Sequence, residues 1–247
     1  MALGWVVDYP GNMKKLLRTL MAILAVLGFS VAAHAADDVV MLELFTSQGC
    51  SSCPPADANL GKLSKRDDVI ALSMHVDYWD YLGWRDTFAK REHTQRQVAY
   101  RDAMGARVIY TPQMVVQGRF DVPGYRPDQI EEAIGAAYRL PRQANISIQR
   151  ADGMLKAIVT SRGEMSECTI WVASYDRSAT VEIARGENAG EQITYHNIVD
   201  KLMRVGSRKS HTPQEVALLQ PDPGTGVAIW LQDVETQRII SASFING

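Results

Sequence analysis

The strongest constraint on the fold is a segment in which an apolar run leads into two closely spaced cysteines and then two prolines, FTSQGCSSCPP. Residues 39–45 are mostly apolar and rich in strand formers, so they predict a buried β-strand. Residues 54–65 carry apolar side chains at helical spacing, and proline is favoured in the first turn of a helix. The segment therefore predicts a strand, a C-x-x-C pair and a helix, with Ser52 as the helix cap.

The same alternation of strand and helix continues through the first half of the chain. Residues 69–74 predict a second strand and residues 86–104 a long charged helix. Residues 108–118 predict a strand that a proline interrupts at its entry. A short hairpin continuation and a helix at 127–140 follow. This alternation predicts an α/β domain over residues 36–142, with helices flanking a mixed sheet.

Beyond Pro141 the pattern changes to short strand-like runs separated by turn residues. Two runs alternate apolar and polar side chains around Asp152-Gly153, a strong hairpin signal. Further runs lie at 168–175, 181–185, 216–219, 227–234 and 239–244. Several short strands with such turns predict a β-sandwich-like domain over residues 143–247.

Residues 1–35 predict a secretory signal peptide. A basic segment that begins at Met13 precedes an apolar run, and Ala33-His34-Ala35 has small residues where a signal peptidase cleaves. The apolar run is shorter than the ~20 residues that a membrane-spanning helix needs, with an uncleaved anchor as the alternative. Residues 1–12 do not belong to such a signal and suggest a spurious extension ahead of a true start at Met13. Cleavage predicts a periplasmic or secreted protein without stable membrane insertion.

The charge of the mature chain excludes one class of partner. Loss of Asp8, Lys14, Lys15 and Arg18 with the signal leaves 23 basic and 27 acidic residues, a formal charge of −4. Without a long basic run, no nucleic-acid binding is expected. The 3 cysteines of the chain are too few for a disulfide-stapled miniprotein. Outside the cytosol, a close cysteine pair is oxidised unless a reductant acts on it.

Three uses of Cys50 and Cys53 are open. As a structural staple, a disulfide across so small a loop removes little unfolded-state entropy. As half of a zinc or copper site, the pair needs about two more ligands, and neither Cys168 nor the histidines form a second close pair. As a redox pair, it places the first sulfur where helix N–H groups and the helix dipole stabilise a thiolate. Cys50 is then the more exposed, attacking thiol and Cys53 the resolving thiol.

These features resemble the thioredoxin superfamily. The resemblance rests on the strand at 39–45, the Cys50-Ser51-Ser52-Cys53 pair and the later Thr111-Pro112 ahead of a strand. It implies a cis Pro112 that faces the cysteine pair, and a Thr111 backbone that binds the substrate chain. Thioredoxin has tryptophan before its first cysteine, whereas this chain has Gly49, so the usual partners of thioredoxin are not implied.

A narrower resemblance covers nearly the whole mature chain. The segments FTSQGCSSCPPAD, HVDYWDYLGW, YTPQMVVQG and RGENAGEQITYHN together resemble a family of secreted bacterial proteins of unknown function. That family has a thioredoxin-like domain but carries no settled activity.

The end of the second predicted strand supplies a possible rim for the site, formed by His75, Asp77, Tyr78 and Trp79. The carboxyl ends of strands line the ligand crevice of an open α/β sheet, and the cysteine pair follows the end of the first strand. A histidine there is suited to proton transfer during exchange. The alternative is a hydrogen-bonded histidine beside packed aromatic side chains.

Three further features have a structural interpretation. Cys168 opens an apolar strand and is predicted to be a buried free thiol. The glycine-rich loop 186–191 precedes His196 and Asn197, which are predicted either to pack it against the first domain or to contact substrate. The charged face of the helix at 86–104 is predicted to be solvated.

The sequence therefore favours an exported thiol–disulfide oxidoreductase that exchanges disulfides with protein or small-molecule thiols and needs no cofactor or metal. The alternative is a periplasmic module that binds copper or zinc through Cys50, Cys53 and a histidine. A protein-interaction domain with incidental cysteines is the third hypothesis.

Overall fold

A computed structural model describes residues 39–151, 154–209 and 211–247. The predicted signal peptide at 1–35 and the predicted turn at Asp152-Gly153 lie outside these residues. None of the described helices combines the length and hydrophobicity needed to cross a membrane.

The described part of the chain contains three α-helices, eleven strands and a short 3-10 turn at Asp80–Leu82. In chain order the helices and strands are β1 Val40–Thr46, α1 Pro54–Leu63, β2 Val69–His75, α2 Arg91–Met104, β3 Gln113–Val116, β4 Phe120–Pro123, α3 Pro127–Tyr138, β5 Ala144–Ala151, β6 Met154–Ser161, β7 Cys168–Glu182, β8 Gln192–Arg208, β9 Gln214–Leu218, β10 Thr225–Asp233 and β11 Ile239–Asn246.

Eight of the strands form one mixed sheet in the order β11-β10-β7-β8-β2-β1-β3-β4. β1 pairs parallel with β2 and antiparallel with β3, and β8 joins β2 in parallel at Ser73 and Ile198. The remaining three, β5, β6 and β9, form a small second sheet. The expectation of a self-contained sandwich after residue 142 is corrected, because four later strands extend the sheet of β1 and β2. The boundary at that residue stays a prediction.

β1 is buried on both faces of the large sheet. Met41 and Phe45 pack into a cluster that includes Trp230 of β10. Leu42 and Leu44 pack on the opposite side, in a cluster that includes residues of α1 and α3. A strand covered on both faces has a nearly continuous apolar sequence, so the predicted buried strand is confirmed.

The charged helix at 86–104 differs from its prediction in two ways. It begins only at Arg91, and its buried residues include Arg96. The guanidinium of Arg96 makes a bidentate contact with Glu43 of β1, with 2.9 Å between Nη2 and Oε2. It also donates to the side-chain oxygen of Gln232 at 2.9 Å and lies 5.1 Å from the centroid of the Trp230 ring. The predicted solvated face therefore holds for Glu92 and Asp102, which are exposed, and fails for Arg96, whose charge is neutralised by a buried carboxylate.

The longest strand, β8, does not correspond to any predicted run. Its sequence, QITYHNIVDKLMRVGSR, mixes charged and apolar residues without a clear period. It becomes a strand by pairing with β7 along most of its length. The run predicted at 168–175 lies within β7, whereas the run predicted at 181–185 overlaps only the end of that strand, at Val181 and Glu182. Together β7 and β8 form a long hairpin whose connecting loop extends beyond the sheet.

Replacing Arg96 with Met is expected to lower the free energy of unfolding by about 3–5 kcal/mol, because it leaves the Glu43 carboxylate buried without a cation. Urea denaturation measures the change. Arg101→Met on the same helix is the control, since its partly exposed pair with Asp102 contributes at most about 1 kcal/mol. Addition of Glu43→Gln to Arg96→Met should recover part of the loss. A loss no larger than that of Arg101→Met would contradict the structural importance of the buried pair.

Candidate functional site

Cys50 and Cys53 form a disulfide between the end of β1 and the start of α1. Cys53 is the N-cap residue of α1, without a side-chain cap hydrogen bond, and Pro54 begins the helix. The cap thus lies one residue later than Ser52, the predicted cap. Proline fits this position because its missing N–H has no helical acceptor in the first turn. The hydroxyl of Ser52 lies 3.4 Å from the sulfur of Cys50.

The burial of the pair differs from the sequence prediction. Both cysteines are 0% exposed, whereas Ser51 and Ser52 between them are exposed. Cys50 in the disulfide is therefore not the more exposed sulfur that the sequence analysis expects. An attacking thiol can reach it only after neighbouring groups have moved.

His75 and Asp86 form a buried pair that is connected to the cysteine loop. Nδ1 of His75 lies 2.7 Å from Oδ2 of Asp86, and both side chains are fully buried. Asp86 also accepts hydrogen bonds from the backbone amides of Gln48 and Phe88, each at 2.8 Å. Burial alone raises the pKa of Asp86, but His75 and the two amides outweigh it and lower the pKa. His75 is thus held in place by the loop that leads to the disulfide.

A second buried carboxyl, Asp57, was missed by the sequence analysis. It lies one helical turn after Cys53, whose carbonyl accepts the Asp57 amide at 3.1 Å. Asp57 is 3% exposed, and burial raises its pKa to about 7, against smaller lowering effects of His75 and the Thr46 hydroxyl. Its spacing of four residues from Cys53 puts both on one helix face, which is a signal in the sequence that could have found it.

Several buried polar atoms around Asp57 have no hydrogen-bond partner among the described residues. They are both carboxylate oxygens of Asp57, Nε2 of His75 and the hydroxyls of Thr46 and Tyr195. Tyr195 of β8 packs edge-on against His75, with 4.8 Å between ring centroids. Burial and the nearby carboxylates of Asp57 and Asp86 raise the pKa of Tyr195. Because buried polar groups are usually paired, such a cluster is typical of a place where protons are held or passed on.

The structure brings some of the predicted rim residues to the cysteine loop. The indole N–H of Trp79 donates to the hydroxyl of Thr111 at 2.8 Å. A Cβ added at Gly49 would lie 3.3 Å from the Cβ of Trp79, so this tryptophan packs directly on the loop. The Thr111–Pro112 peptide bond is cis, as the resemblance implies. Trp79 therefore links Thr111 to the residue that precedes Cys50.

Asp77 and Tyr78 point to other partners. The carboxylate of Asp77 accepts from the hydroxyl of Thr94 in α2 at 2.6 Å. The Tyr78 hydroxyl is buried, and burial raises its pKa to about 12 against smaller lowering effects of Gln97 and Thr111. His75, through Asp86, and Trp79, through Gly49, connect the predicted rim to the cysteine loop.

The loop that connects β7 to β8 also reaches the cysteine loop, and we call residues 186–190 the strap. Asn188 is 6% exposed, and its side-chain amide donates to the carbonyls of Gln48 and Cys50, both at 2.9 Å. Glu187 accepts a hydrogen bond from the amide of Ser51 at 3.2 Å. Sequence reasoning assigned no contact to these two residues.

Two further residues fix the start of β8 on the first half of the chain. The Asn197 side chain donates to the carbonyl of Ala71 in β2 at 2.9 Å. A Cβ added at Gly61 of α1 would lie 2.5 Å from Cδ2 of His196, so only glycine lets this ring pack so closely. Of the two alternatives for His196 and Asn197, the structure shows packing against residues of β2 and α1.

Among the described residues, Cys168 and the histidines do not complete a metal site with the cysteine pair. Cys168 is a buried free thiol, as predicted, and burial raises its pKa to about 11. Across the described ranges, no group of three or more His, Cys, Asp or Glu side chains is placed to hold a metal ion. The metal-binding alternative thus gains no third ligand from the structure.

Asp57→Asn is expected to change how stability depends on pH. An unfolded aspartic acid loses its proton near pH ~3.9, whereas folded Asp57 keeps it to about pH 7. Between these values the folded state binds more protons, so the raised pKa lowers stability by up to about 1.4 kcal/mol per pH unit as pH rises. The stability of Asp57→Asn relative to the unmodified protein should therefore increase from about pH 4 and level off above about pH 7.

Urea denaturation at intervals of pH measures this difference. Asp128→Asn is the control, because Asp128 also lies in the first turn of a helix but is exposed. The change in the free energy of unfolding that Asp128→Asn causes should not increase with pH as that of Asp57→Asn does. A difference for Asp57→Asn that stays constant with pH would contradict the raised pKa.

Comparison with known proteins identifies a similar solved structure and a matching family. The X-ray structure of an Agrobacterium tumefaciens protein, solved by a structural genomics consortium, is similar, with 31% sequence identity and a TM-score of 0.72. The similarity covers 85% of this chain and 96% of that protein. No curated protein matches the chain. The family described as protein of unknown function (DUF1223) matches residues 41–232, which include the cysteine pair and the strap. The chain therefore belongs to this DUF1223 family.

Proposed function

We propose that this protein is an exported thiol–disulfide oxidoreductase, with a thioredoxin-like first part and a redox-active Cys50–Cys53 pair. The observation that carries the proposal is a disulfide at the start of α1 with the buried carboxyl of Asp57 one turn further along. A structural staple has no need of a buried acid with a pKa near neutrality. Perturbed pKa values of this kind cluster at sites that move protons. The predicted signal at 1–35 supports export to a periplasmic or extracellular location.

Exchange starts when the thiolate of a protein or small molecule attacks the sulfur of Cys50. The bond between Cys50 and Cys53 breaks, and its electron pair leaves on the sulfur of Cys53. A mixed disulfide between Cys50 and the partner results. A second thiolate of the partner then attacks the partner's own sulfur and releases Cys50. The cysteine pair has gained two electrons, the partner has lost two and formed a disulfide, and the same steps in reverse oxidise the cysteine pair.

Asp57 is proposed to handle the proton of Cys53. The sulfur of Cys53 leaves as a thiolate in a buried region, where an unpaired charge is costly. A protonated Asp57 can donate to it, and the carboxylate can take the proton back when Cys53 attacks the mixed disulfide. A pKa of about 7 allows both directions near neutral pH. His75 lowers the pKa of Asp57 and so helps to set this value.

Thr111 and Pro112 are proposed to bind the main chain of the substrate. Support comes from their position, because Trp79 bonds to the Thr111 hydroxyl and packs on Gly49 beside the cysteine pair. An extended substrate bound by main-chain hydrogen bonds would be recognised as an added strand is elsewhere. We assign no role in exchange to Asp77 or Tyr78.

Cys53→Ser is expected to accumulate mixed disulfides with partner proteins through Cys50, because the resolving thiol is missing. Cys50→Ser should accumulate few, because Cys53 is the resolving thiol and not the one that attacks a partner disulfide. Non-reducing electrophoresis of exported protein, with mass spectrometry of the trapped bond, measures both. Cys168→Ser serves as the background for both variants. Equal trapping through either cysteine would contradict the assigned roles and favour a structural pair.

A further inference from the structure

The Cys50–Cys53 disulfide is buried, although the proposed exchange requires a partner thiol to reach the sulfur of Cys50. Cys50 is 0% exposed, and Asn188 of the strap donates to its carbonyl and to that of Gln48. Disulfide exchange requires an incoming sulfur to reach the attacked one. The strap belongs to the β7–β8 hairpin, and its hydrogen bonds to the cysteine loop come from the side chains of Glu187 and Asn188, so breaking them leaves the backbone hydrogen bonds of β1 and α1 in place.

The contacts of Asn188 have the chemistry of a peptide backbone. Its carboxamide is the same functional group as a peptide bond, and its two N–H groups bond to main-chain carbonyls on either side of Gly49. When the strap lifts, these carbonyls lose their donors. A partner polypeptide brings N–H groups that can replace them, whereas a small thiol without an amide cannot.

Glu187 disfavours a reactive Cys50 while the strap is closed. Its carboxylate accepts from the amide of Ser51, which directly follows Cys50. Because the Ser51 amide donates to Glu187, it does not donate to the Cys50 sulfur. The Glu187 carboxylate also places a negative charge near that sulfur. Both effects disfavour the thiolate form of Cys50. Hydrogen bonds from Ser51 lower the pKa of Glu187, so the carboxylate stays charged at neutral pH.

The strap has a defined shape of its own. The Gly190 amide bonds to the Ile183 carbonyl at 2.7 Å, and the Ala189 amide to the Gly186 carbonyl at 3.3 Å. Gly186 and Gly190 have φ of 83° and 88°, in the left-handed region that glycine adopts without strain. These internal bonds do not involve the cysteine loop, so the strap can leave that loop as a unit.

We propose that the strap is a gate that shields the Cys50–Cys53 disulfide from small thiols and opens for polypeptide partners, whose main-chain N–H groups replace Asn188 on the carbonyls of Gln48 and Cys50. The inference rests on the proposed exchange function and names polypeptide thiols or disulfides as the substrate class. Asn188 acts by controlling access and takes no part in the chemical step.

The first test measures reduction of the oxidised full mature chain by 2-mercaptoethanol. Asn188→Ala should react about tenfold faster than the unmodified protein, because two hydrogen bonds that hold the gate closed are lost. Glu187→Ala should react faster as well, and its exposed position makes it a second variant that does not depend on the core. Gln192→Ala is the control, since this amide on the same hairpin bonds to Glu182 and not to the cysteine loop in the described part of the chain, and its loss should leave the rate unchanged. Equal rates of disulfide reduction for the unmodified protein and the three variants would contradict the proposed gate.

The second test compares two short cysteine peptides that differ only in N-methylation of the amides flanking the cysteine. The unmethylated peptide should react about five- to tenfold faster with both the unmodified protein and Asn188→Ala, because it can donate to the freed carbonyls. Equal rates for the two peptides would overturn polypeptide recognition.

Failure of the exchange function itself has a different signature. In that case no thiol reduces the folded protein or Asn188→Ala, and reduction appears only in denaturant. Rapid reduction of the folded protein with no effect of the strap variants would leave the exchange function intact and remove the gate.

Discussion

A side-chain hydrogen bond from Asn197 to the carbonyl of Ala71 lies at the centre of the large sheet, where β8 meets β2. β2 and β8 share only the pair Ser73–Ile198 there, and the packing of His196 on Gly61 and of Tyr195 on His75 adds to this contact. Asn197 has a φ of 45°, a left-handed conformation that asparagine tolerates better than most residues. β8 is one arm of the β7–β8 hairpin, so this junction and the hydrogen bonds of Glu187 and Asn188 together hold the strap on the cysteine loop.

The molecule contains two buried clusters of charged side chains that differ in whether their polar groups are paired. The guanidinium of Arg96 is paired with Glu43, bonded to Gln232 and stacked near aromatic rings, so its charge is fully compensated. Such a cluster connects β1, α2 and β10 and is structural. The cluster around Asp57 instead retains unpaired polar atoms, among them Nε2 of His75. Buried groups left unpaired cost stability, and this cost is commonly retained where protons are transferred.

The first part of the chain follows local patterns and could be predicted from them. β1, the C-x-x-C pair and the proline-opened α1 occur in the predicted order, and the bond before Pro112 is cis. The features that the sequence did not predict depend on contacts with residues far away along the chain. Asp86 lies outside α2 because its carboxylate binds His75, and Arg96 is buried because Glu43 of β1 neutralises it. The raised pKa of Asp57 and the strand state of β8 likewise arise only from tertiary packing and from pairing with β7.

The most direct test of a redox role is equilibration of the folded protein with glutathione buffers of varied ratio, with metal content measured on the same sample. The account predicts that the Cys50–Cys53 disulfide is reduced and re-formed reversibly while the protein stays folded, which defines one reduction potential. Because the buried sulfur must first be reached, equilibration should be slow but complete. A disulfide that opens only when the chain unfolds, or a reduced protein that carries stoichiometric copper or zinc, would contradict it.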